Sequence, residues 1–284
     1  MSLNDATNQP RARNLPALLS DLNDRRRSCT VAVSGAPGGT IHMRDGLVVA
    51  IETPGTPGIE ALLLKSGRLT EQGWTSVRAS DRSHEHLARE LVAAELVGAG
   101  ELEIVSLGAL FDAAFVLSLH RPTDWEEGDP VPVLSAGTGV TPERLVAETT
   151  RRFDILAQAP GAIARSTRDR VHPTPAASQP RSTTLLSPRH RNLLAEVNGR
   201  RTPRDIAFTL GRGLFAVLLD LRHLRGRQLV EYTTPTAAGR PSTAPRTSTS
   251  SAKAPAPDTT GLPRRQPRRT RRQTASPDSA EHRP

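Results

Sequence analysis

Cysteine is almost missing from this chain, which has Cys29 as its single thiol in 284 residues. An intramolecular disulfide needs two cysteines, so a disulfide framework is excluded, and the composition is typical of a reducing compartment. No apolar run approaches the roughly 18 residues that a membrane-spanning helix needs. The first residues are too polar for a signal peptide. The sequence therefore predicts a cytoplasmic protein that does not enter a membrane.

Lysine is also scarce, because only two of the 38 basic residues are Lys. Arginine supplies the positive charge in every part of the chain, so the preference for Arg is not by itself a sign of nucleic-acid binding. The distribution of charge is more informative. The net charge is −4 over residues 1–180, +6 over 181–239 and +7 over 240–284. We expect any polyanionic partner to bind to the C-terminal third.

The sequence lacks the motifs of catalysis, cofactor binding and metal binding. Segment 34–40 is rich in glycine, but Gly39 stands where a phosphate-binding loop has its lysine, and a strand pattern follows. Neither a nucleophile elbow nor a dinucleotide-binding fingerprint is present. His84 and His86 are two positions apart, so they do not share a helix face as a metal-binding pair does. We predict no catalytic residue, no cofactor and no metal.

The apolar pattern of residues 14–158 predicts an α+β domain that begins with a helix. Leucines at helical spacing indicate that first helix, and an antiparallel β-meander and a helical region follow it. Three strands are indicated, at 29–34, 40–43 and 47–52. The pair Asp45-Gly46 separates the last two strands, and an Asp-Gly pair between alternating runs is a strong signal for a two-residue hairpin.

The remaining residues are expected to form one more folded unit and three loose segments. Residues 185–232 have the pattern of three short helices and a strand, a winged-helix-like module. Segment 159–184 is rich in Pro, Ser, Thr and Arg and is predicted to be a linker. Residues 1–13 and the Arg/Pro/Ser/Thr-rich tail, 233–284, contain too few large apolar side chains to bury, so we predict that both are disordered.

Four segments of the front half together resemble the PatA-like N-terminal domain family. They are residues 15–19, 39–50, 60–63 and the Trp-Glu-Glu-Gly sequence at 125–128, and the resemblance covers about 14–158. The family has no known biochemical activity and occurs in bacterial signalling proteins, beside receiver domains or small-GTPase regulatory modules. The resemblance implies a unit that binds a protein partner or relays a signal, and it supplies no catalytic residue.

Residues 186–232 are similar to the winged-helix modules of transcription regulators. The second helix of a DNA-binding pair places polar side chains against base edges. In the helix predicted at 213–225, that face instead carries Phe215 and Leu219, four positions apart, and Asp220 would face phosphates. Phe215 and Leu219 are therefore candidates for a ridge that docks a protein partner. Sequence-specific DNA binding and non-specific DNA contact stay open as alternatives.

Two groups of arginines are candidates for contacts with nucleic acid or another polyanion. They are Arg200, Arg201, Arg204 and Arg212 in the module, and Arg264, Arg265, Arg268, Arg269, Arg271 and Arg272 in the tail. The tail cluster has no aromatic side chain on which bases stack, so its binding is expected to be electrostatic. The sequence as a whole predicts a non-enzymatic regulatory or adaptor protein, linked to transcription or a small-GTPase circuit. The alternative is a winged-helix DNA-binding transcriptional regulator.

Overall fold

A computed structural model describes residues 14–80, 86–158, 160–179 and 184–233. The fold is α+β, as predicted, and it combines a four-stranded antiparallel sheet with helices. The disorder predicted for residues 1–13 and for the tail concerns segments outside the described residues, apart from Thr233, which ends a strand.

The front half begins with one helix and a three-stranded meander. In chain order the elements are α1 (Leu15–Asp24), β1 (Cys29–Ser34), β2 (Gly39–Arg44), β3 (Leu47–Glu52), α2 (Ile59–Lys65), α3 (Glu71–Ser80), α4 (Leu87–Ala93), α5 (Ala99–Leu117), β4 (Asp124–Gly128) and α6 (Pro142–Leu156). The strand order in the sheet is β3-β2-β1-β4, so β3 and β4 form its two edges. Residues 35–38 of the glycine-rich segment connect β1 to β2, which pair antiparallel.

The second half is mainly helical. Its elements are α7 (Pro160–Ser166), β5 (Arg170–Pro173), a 3₁₀ helix (Pro175–Ser178), α8 (Pro188–Glu196), α9 (Pro203–Leu210), α10 (Leu214–Gly226) and β6 (Val230–Thr233). The three helices and the strand expected in 185–232 are α8, α9, α10 and β6. Thr202 and Asp205 form a capping box at the start of α9, which explains why the helix begins there.

Segment 159–184 differs from the linker that the composition predicts. Its described residues contain α7, and β5 pairs antiparallel with β6. Ile163 and Val171 are buried in the same apolar cluster as the helices of 185–232. The segment is ordered by the burial of Ile163 and Val171 and by the pairing of β5 with β6, some sixty residues away. Neither feature can be inferred from the composition of the segment. The division into separate domains at 158 and 185 stays a prediction.

Helix α5 is the centre of the fold. Its residues enter three apolar clusters: Leu102 and Val105 pack with α3 and α4, Leu110 packs with the sheet, and Phe115 packs with α8–α10. A helix that is apolar on all sides is typical of a buried position. Across the described ranges no helix is both long enough and apolar enough to cross a membrane.

The hairpin predicted at Asp45-Gly46 is confirmed. Both residues have positive φ, 51° and 82°, which is the signature of a type I′ turn. The turn packs on the end of α1, where the Asn23 side-chain amide donates to the Gly46 carbonyl oxygen at 2.9 Å. A Cβ atom at Gly46 would lie 2.7 Å from the Asn23 carbonyl oxygen, which is closer than atoms tolerate.

Replacing Gly46 with valine should therefore lower the free energy of unfolding by at least about 2 kcal/mol, through backbone strain and the clash with Asn23 together. Gly67→Val is a matched control, because Gly67 also has positive φ, 74°, but has no atom within 4 Å of a built Cβ. The control should lose only the cost of backbone strain. Urea unfolding measures both, and equal losses would show that the contact with α1 contributes nothing.

Candidate functional site

A cleft of about 820 Å³ lies between the edge strand β3 and helices α2, α3 and α5. Segment 131–134 forms part of its wall, and Val133 packs there against Val49 and Ala50. Helix α9 contributes one side chain, Phe208. Small-molecule sites are clefts of about 300–1,000 Å³ with mostly apolar walls. The cleft is therefore the candidate functional site.

Helix α5 gives the cleft one of its walls. Ser106, Ala109, Leu110 and Ala113 line it, at positions i, i+3, i+4 and i+7, which share one helix face. Three of these four side chains are small, and this leaves the space open. The other lining residues with large apolar side chains are Ile51, Ile59, Trp74, Leu87, Val131, Val133, Leu134 and Phe208.

Ser106 is the unusual residue in this wall. It is 4 % exposed, and its hydroxyl has no hydrogen-bond partner among the described residues. Buried polar groups are nearly always hydrogen-bonded, and a helical serine commonly bonds the carbonyl oxygen one turn earlier. Ser118, at the end of the same helix, donates to the Ala114 carbonyl oxygen at 2.8 Å in this way. The Ser106 hydroxyl is thus an unpaired polar group in the wall of the cleft.

Replacing Ser106 with alanine should leave the free energy of unfolding unchanged or raise it by up to about 1 kcal/mol, since the folded state then buries no unpaired hydroxyl. Thr149→Val is the control, because it also removes only a hydroxyl, one that is buried and donates to the Leu145 carbonyl oxygen at 2.8 Å. That variant should lose about 1 kcal/mol. A comparable loss in Ser106→Ala would mean that this hydroxyl has a structural bond after all.

The charged side chains of the cleft lie at its mouth. Among the lining residues that the structure describes they are Glu52, Glu60 and Arg78, and each is about half exposed or more. The Arg78 guanidinium lies 5.7 Å from the centre of the Trp74 ring, and its Nη1 is 4.0 Å from Glu60 Oε2. The interior of the cleft is therefore neutral.

Behind the α5 wall, Asp112 holds the start of α10. It is 3 % exposed, and its carboxylate accepts hydrogen bonds from the backbone N–H groups of Leu214, at 2.6 Å, and Phe215, at 2.9 Å. The Thr56 hydroxyl also donates to it, and Arg152 Nη1 lies 3.3 Å away. We call these five residues the Asp112 junction. The carboxylate satisfies N–H groups that a helix start leaves unpaired, and its charge favours the positive end of the helix dipole.

The junction buries the first turn of α10. Phe215 is 9 % exposed, its ring centre lies 5.5 Å from that of Phe115, and the Arg152 guanidinium lies 4.7 Å above it. Leu219, the other residue of the predicted docking ridge, is partly buried on the same cluster. Helical position alone could not show that α5 covers this face. A docking role for Phe215 and Leu219 stays a prediction, and it would require Phe215 to leave this contact.

Asp220 does not face solvent, where the sequence placed it. It is 2 % exposed, and three basic side chains surround its carboxylate. Arg189 Nη2 lies 2.7 Å from Oδ1, Arg212 Nη2 lies 2.5 Å from Oδ2, and His190 Nε2 lies 3.3 Å from Oδ1. We call these four residues the Asp220 cluster.

Two of the four candidate polyanion contacts in the helical part are paired with acidic side chains. Arg212 belongs to the Asp220 cluster, and Arg201 pairs with Glu196. Arg204 lies 5.7 Å from the ring centre of Phe208, and Arg200 is exposed. The six arginines of the tail lie outside the described residues.

His190 makes the Asp220 cluster sensitive to pH. Burial lowers the pKa of His190 below its usual 6.5, and the neighbouring His223 and Arg189 lower it further, while Asp220 opposes the shift. The ring stacks on His223 with the centres 4.6 Å apart. The unfolded chain therefore binds a proton at His190 more readily than the folded chain does. The stability that the neutral His190 gives the folded chain is complete above pH 6.5 and is lost as the pH falls below that value.

We expect the free energy of unfolding to decrease between pH 7.5 and pH 5.5, and the decrease to be smaller in His190→Asn. Part of it should remain, because burial also lowers the pKa of His120. Urea titrations of both chains at the two pH values measure the difference. An identical decrease in both would exclude His190 as its source.

No group of three or more His, Cys, Asp or Glu side chains that could hold a metal occurs within the described ranges. Of the two histidines considered above, His84 lies outside these ranges and His86 precedes α4.

Comparison of the chain with protein-family models, with curated proteins and with solved structures finds no match. The resemblances of residues 14–158 to the PatA-like family and of 186–232 to winged-helix modules therefore stay proposals.

Proposed function

We propose that the chain is a non-enzymatic regulatory or adaptor protein that relays a signal through protein contacts. The observation that carries the proposal is the position of Thr56. Thr56 lines the cleft, and its hydroxyl donates to Asp112, which holds the first turn of α10. A change in the cleft therefore has a short physical route to the helices of 185–232.

Phe208 supports the same proposal from the other side. It belongs to α9, so the cleft is lined by both parts of the chain. Whatever binds there contacts the front half and the helical part together and favours one arrangement of the two. Regulation of a partner requires this kind of differential binding. The resemblance to signalling domains adds the expectation of a transcriptional or small-GTPase circuit.

The alternative function, sequence-specific DNA binding, fits the geometry less well. A helix-turn-helix protein reads bases with the first residues of its second helix. In α10 these residues, Leu214 and Phe215, are buried at the Asp112 junction. Arg201 and Arg212 are in ion pairs, which leaves Arg200 and Arg204 as exposed candidates. Under our proposal, nucleic-acid binding is electrostatic and resides in the tail.

Affinity purification of the intact protein from its own cell, with and without nuclease treatment, tests the proposal. We expect protein partners that survive nuclease. Phe208→Ala should weaken their capture, because it alters the side chain that α9 places in the cleft. Gly226→Ala is a control at the other end of the same helical part, where a Cβ atom has no neighbour within 4 Å. Loss of every partner on nuclease treatment would favour the DNA-binding alternative.

A salt titration on DNA separates the two functions further. Six phosphate contacts by the tail arginines should give a slope of log affinity against log salt near about −5. Changing the six arginines to glutamine should flatten this slope and remove most binding at physiological salt. If that variant still selects one genomic fragment over random DNA, the helical part reads sequence and the adaptor proposal is wrong.

A further inference from the structure

We propose that the cleft binds a small, neutral, mainly apolar molecule that carries a hydroxyl or carbonyl group for Ser106. The binding itself is inferred from the cleft alone. We also infer that this molecule is the input signal that the chain relays, and this second inference rests on the proposed function.

The apolar character of the ligand follows from the walls. Aliphatic and aromatic side chains from α2, α3, α5, α9 and segment 131–134 line the cleft. Two of them, Val131 and Phe208, are 58 % and 36 % exposed, although large apolar side chains gain free energy when they leave water. A ligand in the cleft would cover this surface, and an apolar ligand would do so without losing hydrogen bonds to water.

The neutral polar group follows from Ser106 and from where the charges lie. A serine hydroxyl donates one hydrogen bond and accepts others, so it serves a hydroxyl or a carbonyl equally. The charged side chains Glu52, Glu60 and Arg78 stay at the solvated mouth. A charged ligand group beside Ser106 would lose its water without gaining an opposite charge, which is costly.

The position of the Ser106 hydroxyl indicates that the ligand is a small molecule. Ser106 is buried in the α5 wall, between Leu102 and Leu110 on the same side of the helix, and its oxygen has less than 1 Å² in contact with solvent. Because so little of the oxygen is accessible, only a group inside the cleft, toward which the serine side chain turns about its Cα–Cβ bond, could bond with it. A protein surface that packed across the mouth would leave the hydroxyl unpaired.

Trp74 provides the measurement. It lines the cleft and is buried, and the only other tryptophan in the sequence is Trp125. In the full chain with Trp125→Phe, the fluorescence of Trp74 can be followed during titration with 1-octanol, octanoate and octylamine, and calorimetry gives the stoichiometry. We expect saturable binding of one octanol, at least about tenfold tighter than either charged analogue.

Two variants test the assignment of Ser106 and of the cleft. Ser106→Ala should weaken octanol binding by about three- to tenfold, the usual contribution of one hydrogen bond. Ala109→Leu should weaken it more, because the larger side chain projects into the cleft one helical turn from Ser106. Gly108→Ala is the matched control, because this neighbour on α5 does not line the cleft and has room for a Cβ. Phe208→Ala, at a partly exposed position, tests the cleft again if Ala109→Leu does not fold.

The proposal is wrong if no probe binds saturably, if a charged analogue binds more tightly than octanol, or if the cleft variants bind like the parent chain. These outcomes do not depend on protein partners. Captured partners without octanol binding would overturn the ligand site and leave the regulatory proposal standing. Octanol binding without captured partners would do the reverse.

Discussion

Replacing Asp112 with alanine is expected to lower the free energy of unfolding by about 3–5 kcal/mol. Three donors lose their acceptor at once: the N–H groups of Leu214 and Phe215, at a buried helix start, and the Thr56 hydroxyl. Arg152, which is only 11 % exposed, loses one of its two ion pairs and keeps the other, with Glu148. Each unpaired buried donor costs about 1–3 kcal/mol, and a buried charge costs more. Urea unfolding followed by circular dichroism measures the loss.

Asp112→Asn and Asp129→Ala are the comparisons that give this result its meaning. Asparagine has nearly the same shape and keeps one acceptor oxygen, but it has no charge. The free energy of unfolding of Asp112→Asn should therefore lie between those of the parent chain and Asp112→Ala. Asp129 is exposed, and the bond it accepts from Thr30 goes to its backbone oxygen. Asp129→Ala should therefore change stability by less than about 0.5 kcal/mol. A similarly small change in Asp112→Ala would contradict the junction.

The sequence predicted the parts of the fold that are determined by residues next to one another in the chain. The turn at Asp45-Gly46 follows from the conformations that these two residues tolerate. Thr-Pro pairs at the starts of α6 and α9 are a second signal of this local kind, since the threonine side chain accepts the N–H of the third helical residue. Such signals are local, so no knowledge of the rest of the chain is needed to interpret them.

Long-range pairing could not be predicted in this way. Strand β6 has the expected pattern, but its partner β5 lies some sixty residues earlier, within a segment whose composition indicates a linker. The stability of that pairing depends on both strands and on the apolar cluster that Val171 and Val230 enter. No window around Val171 contains that information.

The cleft and its neighbouring junction were also missed, for a different reason. Asp112 interrupts an otherwise apolar stretch, and a carboxylate in such a position needs a partner when the helix is buried. That signal was present. Its main partners, however, are the backbone N–H groups of Leu214 and Phe215, and backbone groups leave no trace in a sequence. Ser106 had even less signal, since an unpaired hydroxyl is recognisable only from what surrounds it.

Asp220 is the residue for which sequence and structure disagree most, and replacing it should have the second large effect. The Asp220→Leu variant is expected to lose about 3–5 kcal/mol, because it leaves Arg212 and His190, both largely buried, beside an apolar side chain. Arg189 should contribute less, since it is 63 % exposed and can turn to water. Chemical unfolding at pH 7.5, where His190 is neutral, isolates the arginine contribution.

The double variant Asp220→Leu/Arg212→Leu decides what the carboxylate does. If the loss comes from an unpaired buried charge, removing Arg212 as well should recover a large part of it, because an apolar pair often replaces a buried ion pair at little cost. A double variant as unstable as Asp220→Leu would instead assign the loss to the shape of the site. If Asp220→Leu is as stable as the parent chain, the carboxylate must be solvated. The face of α10 that carries Asp220 would then be free, and DNA binding through it would again have to be considered.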